Sequence, residues 1–165
     1  MAAPQLIPQD LLAIMVRGVS VIVASRDLAL RPSVMRAVGS QVACDGSSIT
    51  VFVSRRQSRQ LVQDVAATGY VAAVFSEPAT HRTVQVKATR ALLRNADASD
   101  APVLARYLAS MEHEIQRVGY APPMTRAMLA HQLDDLVAIG FEPEQAFDQT
   151  PGPKAGAPLS GGGLA

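Results

Sequence analysis

At 165 residues, with 48% hydrophobic content and a formal net charge of +1, the chain is sized for one domain with its own core plus a tail. That charge gives no reason to expect a polyanion such as DNA as the main partner. A single cysteine, Cys44, excludes an intrachain disulfide and a thiolate metal site, and no apolar run approaches the roughly 18 residues of a membrane-spanning helix.

The opening "MAAPQLIPQD" lacks the basic-then-apolar pattern of a secretory signal, so the expected compartment is the cytoplasm. Residues 8–16, "PQDLLAIMV", read as a short helix, and residues 19–25, "VSVIVAS", as a buried strand. After the turn "RDLALRP", residues 33–44 read as a second strand, broken or bulged at Gly39. Asp45 and Gly46 signal a hairpin that returns through "SITVFVS" as a third strand. Cys44, beside that turn, is expected to be a small packed side chain.

Residues 55–67 place Leu61, Val62, Val65 and Ala66 on one side at helical spacing, with Gln60, Gln63 and Asp64 opposite. Gly69 ends this helix. Residues 70–76, "YVAAVFS", are a buried strand, and residues 82–93, "RTVQVKATRALL", a longer alternating one. Ser99 or Asp100 then caps a helix that tolerates Pro102 in its first turn and carries an apolar stripe of Val103, Leu104, Tyr107, Leu108, Met111, Ile115 and Val118. On this helix Glu112 and Glu114 are expected on a solvated face. Pro122 and Pro123 separate it from a helix over residues 125–133, and residues 136–143 read as the last strand. Residues 151–165 hold eight glycines or prolines in fifteen and form a tail or strap behind a folded domain of residues 1–150. Many short strands with few helical crossovers favour a closed or split barrel over a doubly wound sheet.

The stretch "VSRRQSRQL", residues 53–61, is the conspicuous polar feature. Ser54 and Gln57 have the spacing of a capping box, which puts Arg55 and Arg56 at the first two helical positions. Cations there oppose the helix macrodipole, at roughly 0.3–1 kcal/mol each when exposed. Local physics leaves two readings: both arginines point into water at little cost, or a phosphate at the helix start collects backbone N–H groups, guanidinium forks and a serine hydroxyl together. His81, His113 and His131 form no close ligand pair, no nucleophile elbow occurs, and the glycines of "GSQVACDG" lack dinucleotide-fold spacing. The sequence therefore names no metal ligand and no catalytic side chain.

The series "VSVIVASRDLALRPSVMRAVG", "ITVFVSRRQSRQLV" and "YVAAVFSEPATHRTVQVKA" resembles the pyridoxamine 5'-phosphate oxidase-like family of flavin mononucleotide (FMN)-binding split barrels, over roughly residues 8–145. The resemblance implies a mainly β fold with helices: a six-stranded antiparallel split barrel with peripheral helices, forming a homodimer with flavins at the subunit interface. It implies that Arg36, with the neighbouring backbone of Met35 and Val38, supports the flavin ring. The family's serine-arginine-lysine phosphate clamp falls on Ser54, Arg55 and Arg56, with Ser58 and Arg59 as phosphate ligands if the helix register shifts by one or two residues. Its arginine-glutamine pair falls on Arg82 and Thr83, where threonine departs from the pattern, with Gln85 following.

FMN is thus the expected cofactor. The family's vitamin B6 oxidases grip their substrate with a tryptophan-containing C-terminal section, whereas this chain has no tryptophan, and no vitamin B6 substrate is assigned. The implied function is an FMN-dependent oxidoreductase taking hydride from a small donor such as a nicotinamide nucleotide. The alternative is a flavin- or haem-binding module that stores, senses or carries its ligand without turnover.

Overall fold

The computed structural model describes residues 5–159. In chain order it runs α1 (Gln9–Arg17), β1 (Ser20–Arg26), β2 (Pro32–Arg36), β3 (Gly39–Val42), β4 (Ile49–Ser54), α2 (Arg59–Thr68), β5 (Val71–Ser76), β6 (Thr83–Ala88), β7 (Leu92–Asn95), α3 (Ala101–Arg117), α4 (Pro122–Met128), β8 (Leu136–Phe141) and β9 (Gln145–Asp148). The strands form two antiparallel sheets, one of five in the order β2-β1-β5-β6-β9 and one of four in the order β3-β4-β8-β7. Among the described residues the two sheets stay separate in their hydrogen bonding, so no closed barrel forms. No described helix is long and apolar enough to cross a membrane.

Four strand pairs that follow one another along the chain, β2–β3, β4–β5 (by way of α2), β6–β7 and β8–β9, pass from one sheet to the other. At the first crossing the Ala37 amide donates to Val21 of β1 at 3.0 Å, and the next amide, Val38, donates to Phe52 of β4 at 2.8 Å. The expected second strand is therefore one chain path divided between two sheets. Gly39 stands where it divides because a Cβ there would lie 2.6 Å from Leu104 Cδ2 on α3. The long strand expected over residues 82–93 divides likewise, around residues 89–91, where the Ala91 amide reaches Gly69 O at 2.9 Å.

The main core lies between the sheets. Leu11, Leu12, Ile14 and Met15 of α1 pack there against Val21 and Val23 of β1, Phe75 of β5 and Val84 and Val86 of β6. Each fully buried side chain of this kind contributes about 1.5–3 kcal/mol. Helix α2 closes over the same core through Leu61 and Val65. A smaller cluster of Val38, Phe52, Leu104, Leu136 and Ala138 fastens α3 to the other face of the four-stranded sheet. The Tyr107 hydroxyl donates to Val19 O at 2.8 Å and the Ser110 hydroxyl to Gly18 O at 2.6 Å, which ties α3 to the turn between α1 and β1.

Several local expectations change. Helix α2 begins at Arg59 rather than Arg55, because β4 continues to Ser54 and a turn follows. Asp64 is buried, its carboxylate accepting from the Ser33 hydroxyl at 2.5 Å and from Gln60 Nε2 at 2.7 Å. Glu114 is 1% exposed rather than solvated, and Cys44 is exposed rather than packed. Helix α4 starts on its two prolines, which a first helical turn accepts since its N–H groups have no partner within the helix. Strand β9 was not anticipated. Of the tail, residues 151–159 fold back on β9 of the same chain, with the Gly156 amide on Asp148 O at 2.6 Å and the Leu159 amide on Ala146 O at 3.0 Å. Residues 160–165 lie outside the described residues.

Candidate functional site

The turn after β4 answers the question posed by "VSRRQSRQL". Strands β4 and β8 pair with Ser54 opposite Leu136, which sets the next residue, Arg55, against Asp135. The Arg55 amide donates to Asp135 O at 2.7 Å. The Asp135 carboxylate in turn accepts from the Ser54 hydroxyl at 2.5 Å and from the Arg56 amide at 3.2 Å, with Arg56 Nε 3.5 Å away. Arg55 turns aside, its Nη2 donating to Asn95 Oδ1 at 2.5 Å. The Gln57 amide donates to Ser54 Oγ at 3.3 Å, so the anticipated hydroxyl-to-amide contact forms, but it caps a turn. The anion among Ser54, Arg55 and Arg56 is thus the side chain of Asp135, itself 12% exposed.

One residue further on, the arrangement differs. Ser58 is the N-cap of α2, and its buried hydroxyl has no hydrogen-bond partner among the described residues. Arg59 is exposed at the first helical position and makes no ion pair among the described residues. The first turn carries no acidic side chain. The first backbone bond back to Ser58 O comes from Val62, so the amides of Arg59, Gln60 and Leu61 face the helix start without a partner among the described residues. Free amides, the positive end of the helix dipole and an arginine together favour an anion here.

The ring-side candidates divide by face. Met35 packs toward the core, and Val38 is buried beneath α3 with its amide bonded to Phe52. Arg36, opposite Ile22, alternates to the outward side of the five-stranded sheet. There the register continues through Val74, Gln85 and Phe147 in one row. Arg36 and Gln85 stand three strand spacings apart, about 14 Å at the usual separation. Arg36 Nη1 lies 3.3 Å from Ser20 Oγ, and Gln85 Oε1 accepts from Gln149 Nε2 at 3.3 Å.

Arg82 and Thr83 are taken up by structure. Arg82 pairs with Asp10 of α1. The Thr83 hydroxyl lies 2.8 Å from that of Ser76 and donates to His81 O at 2.9 Å, while its amide donates to Thr150 Oγ1 at 3.0 Å. On the same outward face, Ala24 and Ala72 floor a shallow depression of about 360 Å³. Arg26 covers the Tyr70 ring at 4.3 Å and Lys87 covers the Phe147 ring at 4.8 Å at its rim.

Asp135 and Asn95 escaped the sequence reading. No local signal marks them, since each reaches the turn only through strand register over 40 or more positions of sequence.

No protein-family model and no curated protein matches the chain. Solved structures do. A candidate pyridoxamine 5'-phosphate oxidase from Lactobacillus delbrueckii is similar over 87% of this chain and 94% of its own, at 16% identity and a TM-score of 0.53. A pyridoxamine 5'-phosphate oxidase-related, FMN-binding protein from Nostoc punctiforme is similar over 93% of this chain and 87% of its own, at 12% identity and a TM-score of 0.52. An F420 reductase is similar over 81% of this chain and 93% of its own, at 14% identity and a TM-score of 0.55. The likeness these structures establish is one of fold, and by fold the chain is similar to pyridoxamine 5'-phosphate oxidase-like and FMN-binding proteins.

Proposed function

We propose that the chain binds FMN and serves as a flavin-dependent oxidoreductase, its two sheets acting as a split barrel. The observation that carries this reading is the start of α2, where a buried serine hydroxyl, three backbone amides and an arginine, none with a partner among the described residues, fit a phosphate. Support comes from the fold, which is shared with a protein named as FMN-binding and with one named as a reductase. When bound, the flavin would supply hydride and electron transfer, so the protein's part is to bind and orient it.

In this reading Arg59 and the α2 amides hold the phosphate. Arg36 and Gln85 offer a cation and an amide to the polar edge of the ring, and Ile22 and Val74 between them offer an apolar floor. Helix α2 packs on the core side of β1 and β2, whereas Arg36 stands on the outward side. A homodimer that places the outward face of one copy beside α2 of the other brings both sets to one flavin.

Titration by quenching of flavin fluorescence tests the reading. Arg59→Ala is expected to weaken FMN about tenfold or more, the value of one charge-assisted hydrogen bond, while riboflavin, which lacks the phosphate, changes less than about twofold on the same scale. Quenching of neither flavin by the native chain would overturn it. Steady-state oxidation of NADH or NADPH by the flavin-loaded protein is the further expectation, and its absence with both donors would reduce the role to carriage.

A further inference from the structure

We propose that Asp135 is a built-in substitute for phosphate: its carboxylate fills the Ser54–Arg56 turn, closes it to external anions and leaves the start of α2, at Ser58 and Arg59, as the place where a phosphate binds. Only the identity of the ligand rests on the flavin reading; the closure of the turn does not.

Three donors converge on that carboxylate: the Ser54 hydroxyl, the Arg56 amide and the Arg56 guanidinium. They are the donor types that make a phosphate cradle, and here they are already engaged. The carboxylate is held from behind by backbone. The Arg55 amide bonds Asp135 O at 2.7 Å, and the next residue, Leu136, opens the β8 ladder opposite Ser54. Withdrawing the side chain would leave the Ser54 hydroxyl, 8% exposed as a residue, without its acceptor. A phosphate entering with Asp135 in place would meet like charge at contact distance. Two residues later the balance reverses, because the first turn of α2 has no acidic side chain, Ser58 has an unpartnered hydroxyl and Arg59 has no ion pair among the described residues. Neighbouring stretches of one basic segment thus have opposite roles, the first sealed by the protein's own anion and the second open.

The test uses the full-length chain, with inorganic phosphate against chloride at matched ionic strength as the first probe and thermal midpoint as the readout. FMN and riboflavin affinities by fluorescence quenching are the second. In the native background Arg56→Ala is expected to leave both the phosphate response and the FMN-to-riboflavin affinity ratio within about twofold. Asp135→Ala, which removes both the charge and the side chain that fills the turn, is expected to strengthen the phosphate response about tenfold, and adding Arg56→Ala to it should remove that gain. A loss of about tenfold in phosphate or FMN affinity on Arg56→Ala alone overturns the proposal, because the turn would then already be in use. An Asp135→Ala chain that responds to phosphate no more than the native one overturns it too. If Asp135→Ala does not fold, the Arg56→Ala arm decides by itself. A native chain that binds neither flavin refutes the proposed function, while the phosphate arm still decides the role of Asp135.

Discussion

Glu114 sits in the middle of an ion-pair cluster that no local pattern announces. Arg17 Nη2 lies 3.2 Å from one carboxylate oxygen and Arg117 Nη1 lies 3.3 Å from the other, and the same two guanidinium groups reach Glu77 at 2.5 and 3.4 Å. Two cations balance two anions, so removing one carboxylate leaves the cluster with surplus positive charge. Breaking a fully buried pair costs roughly 3–5 kcal/mol. Both arginines here are more than 40% exposed, so water shares the burden and Glu114→Ala is expected to cost about 2 kcal/mol in urea unfolding. A loss below about 0.5 kcal/mol, the range of ordinary surface substitutions, would show that the carboxylate is not held this way. In the sequence Glu114 is one charge on a helix with an apolar stripe, and alternation alone assigns it to solvent. Of its two ion-pair partners Arg117 is only three positions on, but Arg17 is 97 positions away, a kind of information that periodicity does not carry. Gly39, by contrast, is legible as an interruption although its cause, the approach of Leu104, is not.

At the scale of elements, α3 is pinned by carboxylates at both ends. At its start Arg94 makes a two-pronged pair with Asp100, each bond 2.7 Å, and this pair holds the Asp100 carboxyl below the usual aspartate range. Near its end the Thr80 hydroxyl, and after it Arg17, hold the Glu77 carboxyl below the usual glutamate value of 4.5. A carboxyl with a depressed folded-state pKa contributes stability that is present above its unfolded value and is lost as pH falls through the folded one. Thermal midpoints are therefore expected to be level near neutrality and to fall as pH drops below about 4. Asp100→Asn should lower the midpoint at neutral pH and converge on the native chain in acid. A constant difference between the two across that range would contradict the assignment. The helix itself was readable, since Leu104, Tyr107 and Met111 are all buried as the stripe requires. Helix α2 was readable only in its apolar face. Its start was misplaced because Ser54 has the right spacing to cap but belongs to β4, whose register with β8 is set 82 residues downstream.

At the scale of the whole molecule, the proposed homodimer places its contact on the outward face of the five-stranded sheet. Along β1 and β5 the alternate residues Ile22, Ala24, Ala72 and Val74 remain partly exposed, and Val34 of the edge strand is 65% exposed on the same side. The β1–β2 hairpin adds Leu28 and Leu30 at its tip, 82% and 67% exposed. A stable dimer buries about 800 Å² on each copy with an apolar centre, and Val74 lies at the middle of the row from Arg36 to Phe147. An arginine there would place a charge at the centre of the contact without entering the core, since Val74 points away from it. The native chain is expected to show about twice its 17.4 kDa by light scattering, and Val74→Arg to fall to the single-chain mass with its far-ultraviolet spectrum unchanged. Because the flavin would draw on both copies and Val74 lies in its proposed floor between Arg36 and Gln85, the same variant should also lose FMN affinity. A native chain that runs as a monomer removes the dimer. A monomeric Val74→Arg that keeps native affinity leaves the dimer but moves the flavin into a single copy, where Arg59 and the α2 amides would have to hold it without the Arg36 row.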